Sequence, residues 1–226
     1  MKKTLLLFFI FQLSNAQNQT FINFGNGQTT LGSTWKYLDN GSDQGTQWQT
    51  TSFDDSSWST GSSELGYGET DQNTTVSFGG NSSNKYITTY FRKTINTPNL
   101  SLFTGFIMNL KRDDGIVVYI NGVQAYINNL TANPTYTTLA SLASDDGNSI
   151  LTAVLPTSLF INGNNVIAVE IHQNVVTSSD ITFDMELIGS APPVLTRGPY
   201  LQVGTTDGVT IRWRTNIPTD SNVTWG

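Results

Sequence analysis

Apolar residues arrive in short alternating runs along much of the chain, and turns rich in glycine, serine, threonine and asparagine separate them. In residues 181–188 every second side chain is large and apolar, with Thr182, Asp184 and Glu186 between them, and residues 103–110 show the same period. A period of two places successive side chains on opposite faces of a β-strand. The pattern therefore predicts antiparallel strands with one buried and one solvated face, and few stretches suit a helix.

The clearest turn lies between two apolar runs, residues 116–120 and 123–127. Asn121 and Gly122 join them, and these residue types tolerate the positive φ that both central positions of a two-residue hairpin need. We therefore predict that the two runs pair as a hairpin. Two further strands are predicted at residues 86–95 and 166–172.

Large aromatic residues are spaced through polar sequence between residues 21 and 80. Rings in such loops usually insert as buried anchors, because the area that they bury stabilises a long loop against the sandwich. The alternative is a platform of exposed rings that stacks on sugars. The anchor interpretation is favoured, and it applies to Trp35, Tyr37, Trp48, Phe53, Trp58, Tyr67 and Phe78.

These patterns predict an all-β chain in four segments. Residues 1–16 have a basic start, an apolar run and a small-residue end, which is the anatomy of a cleavable secretory signal. Residues 17–189 are expected to form an antiparallel jelly-roll β-sandwich, and the two prolines in residues 190–193 predict a stiff linker. Residues 194–226 have room for about three strands of an immunoglobulin-like or fibronectin-like sandwich, which needs roughly seven, so this second sandwich is expected to be incomplete.

Composition and charge narrow the choice of partners. The chain has 11 Lys and Arg against 17 Asp and Glu, and its formal net charge is −6. Because nucleic-acid binding draws on clustered basic side chains, nucleic acid is not an expected partner. No stretch beyond the signal has the roughly 18 consecutive apolar residues of a membrane span, so no membrane partner is expected after signal cleavage. The expected location is secreted or at the cell surface.

No catalytic centre and no metal-ligand set is expected within the chain. A two-metal hydrolase site needs several histidine and carboxylate ligands, and His172 is the single histidine. A lone histidine on a strand is more often a surface or hydrogen-bonded residue than a ligand. There are no cysteines, so burial must stabilise the sandwich without disulfides.

Three motifs near the end of the chain carry a family resemblance. Arg-Gly-Pro-Tyr-Leu-Gln begins at Arg197, Asp-Gly-Val-Thr-Ile-Arg-Trp-Arg-Thr begins at Asp207, and Val-Thr-Trp-Gly ends at Gly226. In this order they resemble the fibronectin-like N-terminal domain of purple acid phosphatases. The resemblance implies a non-catalytic module, with a dinuclear-metal phosphoesterase domain expected downstream as its partner in the same polypeptide.

A second resemblance covers most of the larger module, about residues 21–189. Its motifs lie at residues 53–58, 65–68, 90–93, 113–115, 119–122 and 165–170. Together they resemble the galactose-binding-like jelly rolls attached to secreted enzymes of Bacteroidetes-type bacteria. The resemblance implies carbohydrate binding or a silent spacing role, because members of that superfamily do either and a fold alone does not fix a function.

Asp113 and Asp114 are the sharpest candidates for a site. Two adjacent carboxylates at a strand end could supply hard oxygen ligands to Ca²⁺, which can in turn hold sugar hydroxyls. The alternative is a turn in which the Asp side chains bond backbone N–H groups and Gly115 takes a positive φ. This second interpretation is favoured, since only two of the six or more oxygens that Ca²⁺ needs are identifiable. Asn121 and Trp58 complete the predicted carbohydrate or calcium site, and structural calcium is the one cofactor considered for this chain.

Three functions remain open from the sequence. The first is the non-catalytic N-terminal region of an exported, purple-acid-phosphatase-like metallophosphoesterase, in which the jelly roll targets or spaces the enzyme. The second is a carbohydrate-binding module of a secreted hydrolase, with a polysaccharide or cell-surface glycan as its partner. The third is a structural adhesion module of the cell surface.

Overall fold

The computed structural model describes residues 17–25 and 31–219. Within them the chain forms fourteen β-strands and three short 3-10 turns, so the all-β fold class predicted from the alternation is confirmed. The predicted signal peptide, residues 1–16, lies outside the described residues. The same holds for the strand expected at residues 221–225.

Most strands are short, as the brief apolar runs predict. In chain order they are β1 (Gln19–Ile22), β2 (Thr34–Leu38), β3 (Ser59–Ser62), β4 (Leu65–Tyr67), β5 (Thr74–Thr75), β6 (Thr88–Thr97), β7 (Gly105–Asp113), β8 (Gly115–Ile120), β9 (Val123–Asn128), β10 (Leu151–Leu155), β11 (Gly163–His172), β12 (Ile181–Ser190), β13 (Leu195–Gln202) and β14 (Thr210–Thr215). The 3-10 turns are Gln47–Gln49, Leu100–Leu102 and Thr157–Leu159. Among the described residues, no helix has the length and apolar character that crossing a membrane requires.

The chain divides into two compact units, and the larger is Asn18–Ser190, which contains β1 to β12. The other unit contains β13 and β14, which pair as an antiparallel hairpin with an irregular register. These two strands correspond to two of the three expected after residue 194. The incomplete fibronectin-like sandwich remains a prediction, because a hairpin alone does not distinguish it from other β folds.

Two sheets form the larger unit. In the first sheet the strand order is β10-β7-β12-β4-β5, and β1 pairs with the far end of β12. In the second sheet the order is β3-β2-β6-β11-β8-β9, and every pairing is antiparallel. Several neighbouring strands are distant in sequence in both sheets, such as β6 and β11 or β7 and β12, as in a jelly-roll β-sandwich.

The main core lies between the inner faces of the two sheets. Alternation decides which side chains enter it, because successive residues of a strand point to opposite faces. The face predicted for β7 is confirmed, since Phe106, Met108 and Leu110 are buried while Ile107 and Asn109 are only half-buried. Side chains from both sheets fill this core, among them Trp35, Leu65, Phe91, Ile116, Val118, Ile120, Ile167, Val169, Ile171, Phe183, Met185 and Leu187.

The predicted Asn-Gly hairpin is confirmed. β8 and β9 pair antiparallel across Asn121 and Gly122, which have φ values of 53° and 86°. Positive φ at both positions is the reason why this dipeptide suits a two-residue turn. The turn thus sets the register of the edge of the second sheet from local sequence alone.

The prediction that one face of β12 is solvated is wrong over the first half of that strand. Thr182 and Asp184 point away from the main core, but both are buried. The Gly25 segment crosses Asp184 and its amide donates to Oδ2 at 2.7 Å, while Gly147 packs against Thr182. Alternation identified the outer face correctly, but it could not show that distant segments cover it.

The sandwich core supplies the first prediction. Phe183 is fully buried, with its ring centroid 4.9 Å from that of Trp35 and 4.6 Å from that of Phe91. Because truncation leaves a cavity that the packed sheets fill only in part, Phe183→Ala should lower the free energy of unfolding by about 3–5 kcal/mol. Guanidinium unfolding followed by tryptophan fluorescence measures this. Val154→Ala is the control, since Val154 is 76 % exposed and should change stability by less than about 0.5 kcal/mol; similar losses in both variants would contradict the assigned core.

Asp184 supplies a second prediction, on pH. Burial raises the pKa of its carboxyl to about 7, against hydrogen bonds from the amides of Met185 and Gly25. An unfolded Asp has a pKa of about 3.9, so between these values the folded state keeps a proton that the unfolded chain releases. The stability that this proton gives is present below about pH 4 and is lost as the pH rises to about 7.

Asp184→Asn cannot titrate and should remove this dependence. Between pH 4.5 and pH 7.5 the wild type should lose on the order of 2 kcal/mol more unfolding free energy than the variant. Urea midpoints at several pH values measure the difference, with Glu186→Gln on the same strand as the control. Parallel pH curves for the wild type and Asp184→Asn would exclude the buried neutral carboxyl.

Candidate functional site

The outer face of the second sheet is covered by the segment that connects β2 to β3, residues 39–58. This segment buries two indoles against the sheet, and the rings of Trp48 and Trp58 stack with their centroids 6.4 Å apart. Trp48 also contacts Tyr90 and Tyr119 edge-to-face, at 4.8 and 5.8 Å. A second, smaller core results, and its buried members are Trp48, Trp58, Tyr90, Val117, Tyr119, Val166 and Ala168. The anchor interpretation of Trp48 and Trp58 is thus confirmed.

Arg92 binds this covering segment, residues 39–58, to the sheet; we call the segment the cover. Its side chain is only 2 % exposed, and its Nε donates to Asp55 Oδ2 at 2.9 Å. Its terminal nitrogens donate to the carbonyls of Trp48 and Thr50, and its guanidinium lies 5.2 Å from the ring centroid of Phe53. A planar guanidinium with five donors can hold several acceptors at once, so one residue of β6 organises the whole segment.

A cavity of about 420 Å³ opens beside the cover on this face. Its walls come from the β2–β3 segment, from β8 and β9 near their turn, and from residues 133–136. The lining is aromatic and polar, and among its residues there is no lysine or arginine. The larger side chains of its lining are those of Asp43, Gln49, Tyr90, Tyr119, Gln124, Tyr136 and Glu170.

Glu170 is the buried carboxyl at the base of the cavity. It lies on the outward row of β11, opposite Tyr90 of β6, and is 5 % exposed. The Tyr119 hydroxyl donates to Glu170 Oε1 at 2.9 Å and is also bonded to the Gln49 side chain. Burial first, and then the nearby Glu170, raise the pKa of the Tyr90 and Tyr119 hydroxyls, so both keep their protons as hydrogen-bond donors.

His172 lies two residues further along the same row and is fully buried. Its Nδ1 lies 3.1 Å from Thr88 Oγ1 and 2.8 Å from the Thr138 carbonyl, and its Nε2 lies 3.5 Å from Glu170 Oε2. These contacts agree with the prediction of a hydrogen-bonded histidine. Glu170 Oε2 thus lies near His172, although His172 Nε2 has no hydrogen-bond partner among the described residues.

The structure does not bring the four sequence-predicted site residues together. Asp113 and Asp114 precede β8, whereas Asn121 follows it, and a strand of that length separates the two ends by about 20 Å. Asn121 serves the fold, since its amide donates to the Leu159 carbonyl and to Asn165 Oδ1. Trp58 is buried in the smaller core, 5 % exposed.

The Asp113-Asp114 turn follows the structural interpretation in part. Asp114 Oδ1 accepts from the Ala143 amide at 2.9 Å and its Oδ2 from the Asn174 amide at 2.8 Å, as a turn-forming Asp should. Gly115 does not take the predicted positive φ, because it already belongs to β8. Among the described residues, no backbone N–H donates to the Asp113 side chain, and burial and three nearby Asp carboxyls raise its pKa to about 8.

The site residues predicted from the sequence did not include Glu170, Tyr119 or Gln49. A signal for Glu170 was present, since it interrupts the otherwise apolar run 166–171. A carboxyl between apolar residues of a strand is expected to be buried. A buried carboxyl needs hydrogen-bond partners, and the fold must supply them. The partners themselves lie far away in the sequence.

These features define a class, an antiparallel jelly-roll β-sandwich whose second sheet carries a covered outer face and an acidic, aromatic-lined pocket. No protein-family model and no curated protein matches the chain. Among solved structures it is similar to a β-glucuronidase of glycoside hydrolase family 2, with 17 % identity and a TM-score of 0.50 over 84 % of this chain and 20 % of that one.

Two other solved structures are similar at lower scores. A family 2 glycoside hydrolase from Bacteroides cellulosilyticus is 14 % identical over 82 % of this chain and 22 % of its own, with a TM-score of 0.49. A β-glucuronidase from an uncultured Clostridium species is 12 % identical over 92 % and 36 %, with a TM-score of 0.46. At these identities the likeness concerns the fold, and the chain spans about a fifth of the first of these proteins. None of these neighbours is a purple acid phosphatase.

The cover supplies a third prediction. Arg92→Leu removes the donors to Asp55, Trp48 and Thr50, so the segment of residues 39–58 should open locally and be cleaved by subtilisin at least about tenfold faster than in the wild type. Mass spectrometry locates the cuts. Lys93→Leu is the matched control, because the Lys93 amine bonds the Thr34 carbonyl, outside this segment. Equal cleavage rates in both variants would refute the role assigned to Arg92.

Proposed function

We propose that the larger unit is a carbohydrate-binding module of an exported protein. The observation that carries this proposal is the pocket on the second sheet, in which a buried carboxyl, two tyrosine hydroxyls and two glutamine amides converge. Ligand sites typically occupy about 300–1,000 Å³ and combine aromatic surface with a few well-placed polar groups. At about 420 Å³ the cavity falls within that range.

The lining suits the hydroxyl groups of a sugar. Glu170 and the amide oxygens of Gln49 and Gln124 accept hydrogen bonds, while the amide nitrogens donate them. The Tyr136 ring, 37 % exposed, stands where it can stack on the apolar face of a pyranose. Stacking and paired hydroxyl contacts together are what a binding site for a neutral sugar requires.

Charge narrows the class of glycan. Asp43 and Glu170 both line the cavity, and no lysine or arginine of the described residues does. An anionic sugar would meet repulsion without a compensating cation, in a site where partial burial weakens screening by water. We therefore propose neutral glycans as ligands rather than uronic-acid or sulfated ones.

The solved neighbours support a role for this module beside an enzyme. The solved neighbours are named as glycoside hydrolases, and this chain covers about a fifth of the first of them. The signal anatomy of residues 1–16 makes export part of the same proposal. A phosphoesterase downstream, the first function inferred from the sequence, now has only the resemblance of residues 197–226 in its favour.

The fourth prediction tests the pocket. On an array of neutral and acidic plant, algal and host glycans, the wild type should bind neutral glycans. Calorimetry with a bound oligosaccharide should then show that Tyr136→Ala and Glu170→Gln each weaken the affinity by about tenfold or more, or about 1.4 kcal/mol. Tyr200→Ala, in the hairpin unit, is the control for loss of a tyrosine.

Three results would contradict this assignment. Binding that both pocket variants leave unchanged would place the site elsewhere, and no binding on any glycan class would favour the spacing role. Binding restricted to anionic glycans would contradict the argument from charge. Circular dichroism of each variant ensures that lost binding does not reflect lost folding.

A further inference from the structure

A cluster of carboxylates lies at one end of the first sheet, away from the pocket residues. Glu69 follows β4, Asp180 precedes β12, and Asp146 lies in the β9–β10 connection. One carboxylate oxygen of each lies within 4.8 Å of the other two. Ca²⁺ binds oxygens at about 2.3–2.6 Å, so ligand oxygens on opposite sides of the ion are about 5 Å apart and a single ion can contact all three.

Asp113 adds a buried carboxyl beneath this cluster. It ends β7, is 3 % exposed, and packs under the turn that contains Gly147, where an added Cβ would lie 3.2 Å from the Asp113 Cβ. Asp146 and Asp180 both act electrostatically on its carboxyl. Among the described residues, no lysine, arginine or histidine forms an ion pair with any of these four acids.

An independent observation at the same place is the Tyr67 hydroxyl. Tyr67 is 5 % exposed, and its hydroxyl has no hydrogen-bond partner among the described residues. Asp180 and Asp113 are the charged groups that act on it most strongly, and the adjoining Gly68 packs directly on Asp180. A buried hydroxyl without a partner is costly, so its position beside the acids points to a missing oxygen-rich ligand shell.

We propose that Glu69, Asp146 and Asp180 bind a calcium ion, with the buried Asp113 carboxyl beneath them and the Tyr67 hydroxyl bonded to a water of the ion's shell. The ligand atoms are all oxygens, which hard cations prefer, and the exposed positions of Glu69 and Asp146 leave room for waters to complete six to eight ligands. Asp114 is not a ligand here, because backbone amides occupy both of its oxygens.

The ion would join segments that are far apart in the sequence. It would tie the end of β4, the start of β12 and the β9–β10 connection to one point. Such a site stabilises the folded chain by mass action and does not require that the pocket bind sugar. Either the calcium proposal or the carbohydrate proposal can therefore be refuted without affecting the other.

The fifth prediction tests calcium itself as the ligand. In EDTA-treated protein, calorimetric titration with CaCl₂ should give one bound ion per chain, and 2 mM Ca²⁺ should raise the Tm by about 5 °C or more. Asp180→Asn should lose this rise. In EDTA the variant should melt at or above the wild-type Tm, because it relieves repulsion among the acids. A merely structural role for Asp180 would instead lower the Tm under both conditions.

Two further variants sharpen the result. Asp71→Asn removes an exposed acid close to the cluster but outside it, and it should keep the full calcium response. Tyr67→Phe should be no less stable in EDTA and should gain less from Ca²⁺ than the wild type. No rise with Ca²⁺, a rise that Asp180→Asn retains, or an equal rise with Mg²⁺ would each overturn the proposal.

Discussion

The second sheet is buried on its inner face and is covered on part of its outer face, and the arrangement of the larger unit depends on the contact that makes this possible. Arg92 projects from the outer face of β6 and bonds Asp55 and two carbonyls of the segment that covers the sheet. A buried guanidinium is tolerated only when acceptors surround it, and the segment supplies them. The indoles of Trp48 and Trp58 then bury apolar area that the segment alone would leave in water.

The pocket is a consequence of this cover. Because the β2–β3 segment occupies only part of the outer face, the remaining part becomes a concave surface instead of an open sheet. Glu170 lies at the border, close enough to the cover to bond Tyr119 and open enough to meet a ligand. Its partners hold it in one orientation, which is the condition for selective binding.

In the carboxylate cluster several acids lie close together and, among the described residues, form no ion pair with a basic side chain. The sandwich has no disulfide, and it places Asp113 and Asp180 where strand ends converge. Repulsion among them would weaken those ends unless a cation is bound. The pocket and the carboxylate cluster are thus both formed where connecting segments cover a sheet face or meet at strand ends. The main core between the sheets is apolar.

The sequence by itself determined what is local. The period of two identified the core faces of β7 and β12, and Asn121-Gly122 fixed the β8–β9 hairpin, since φ preferences and alternation act over a few residues. Only the tertiary structure decided that Asp184 and Glu170 are buried, that Asp113 and Asn121 lie apart, and that Glu69, Asp146 and Asp180 meet. Those facts depend on which distant segment covers which face, and alternation carries no information about that partner.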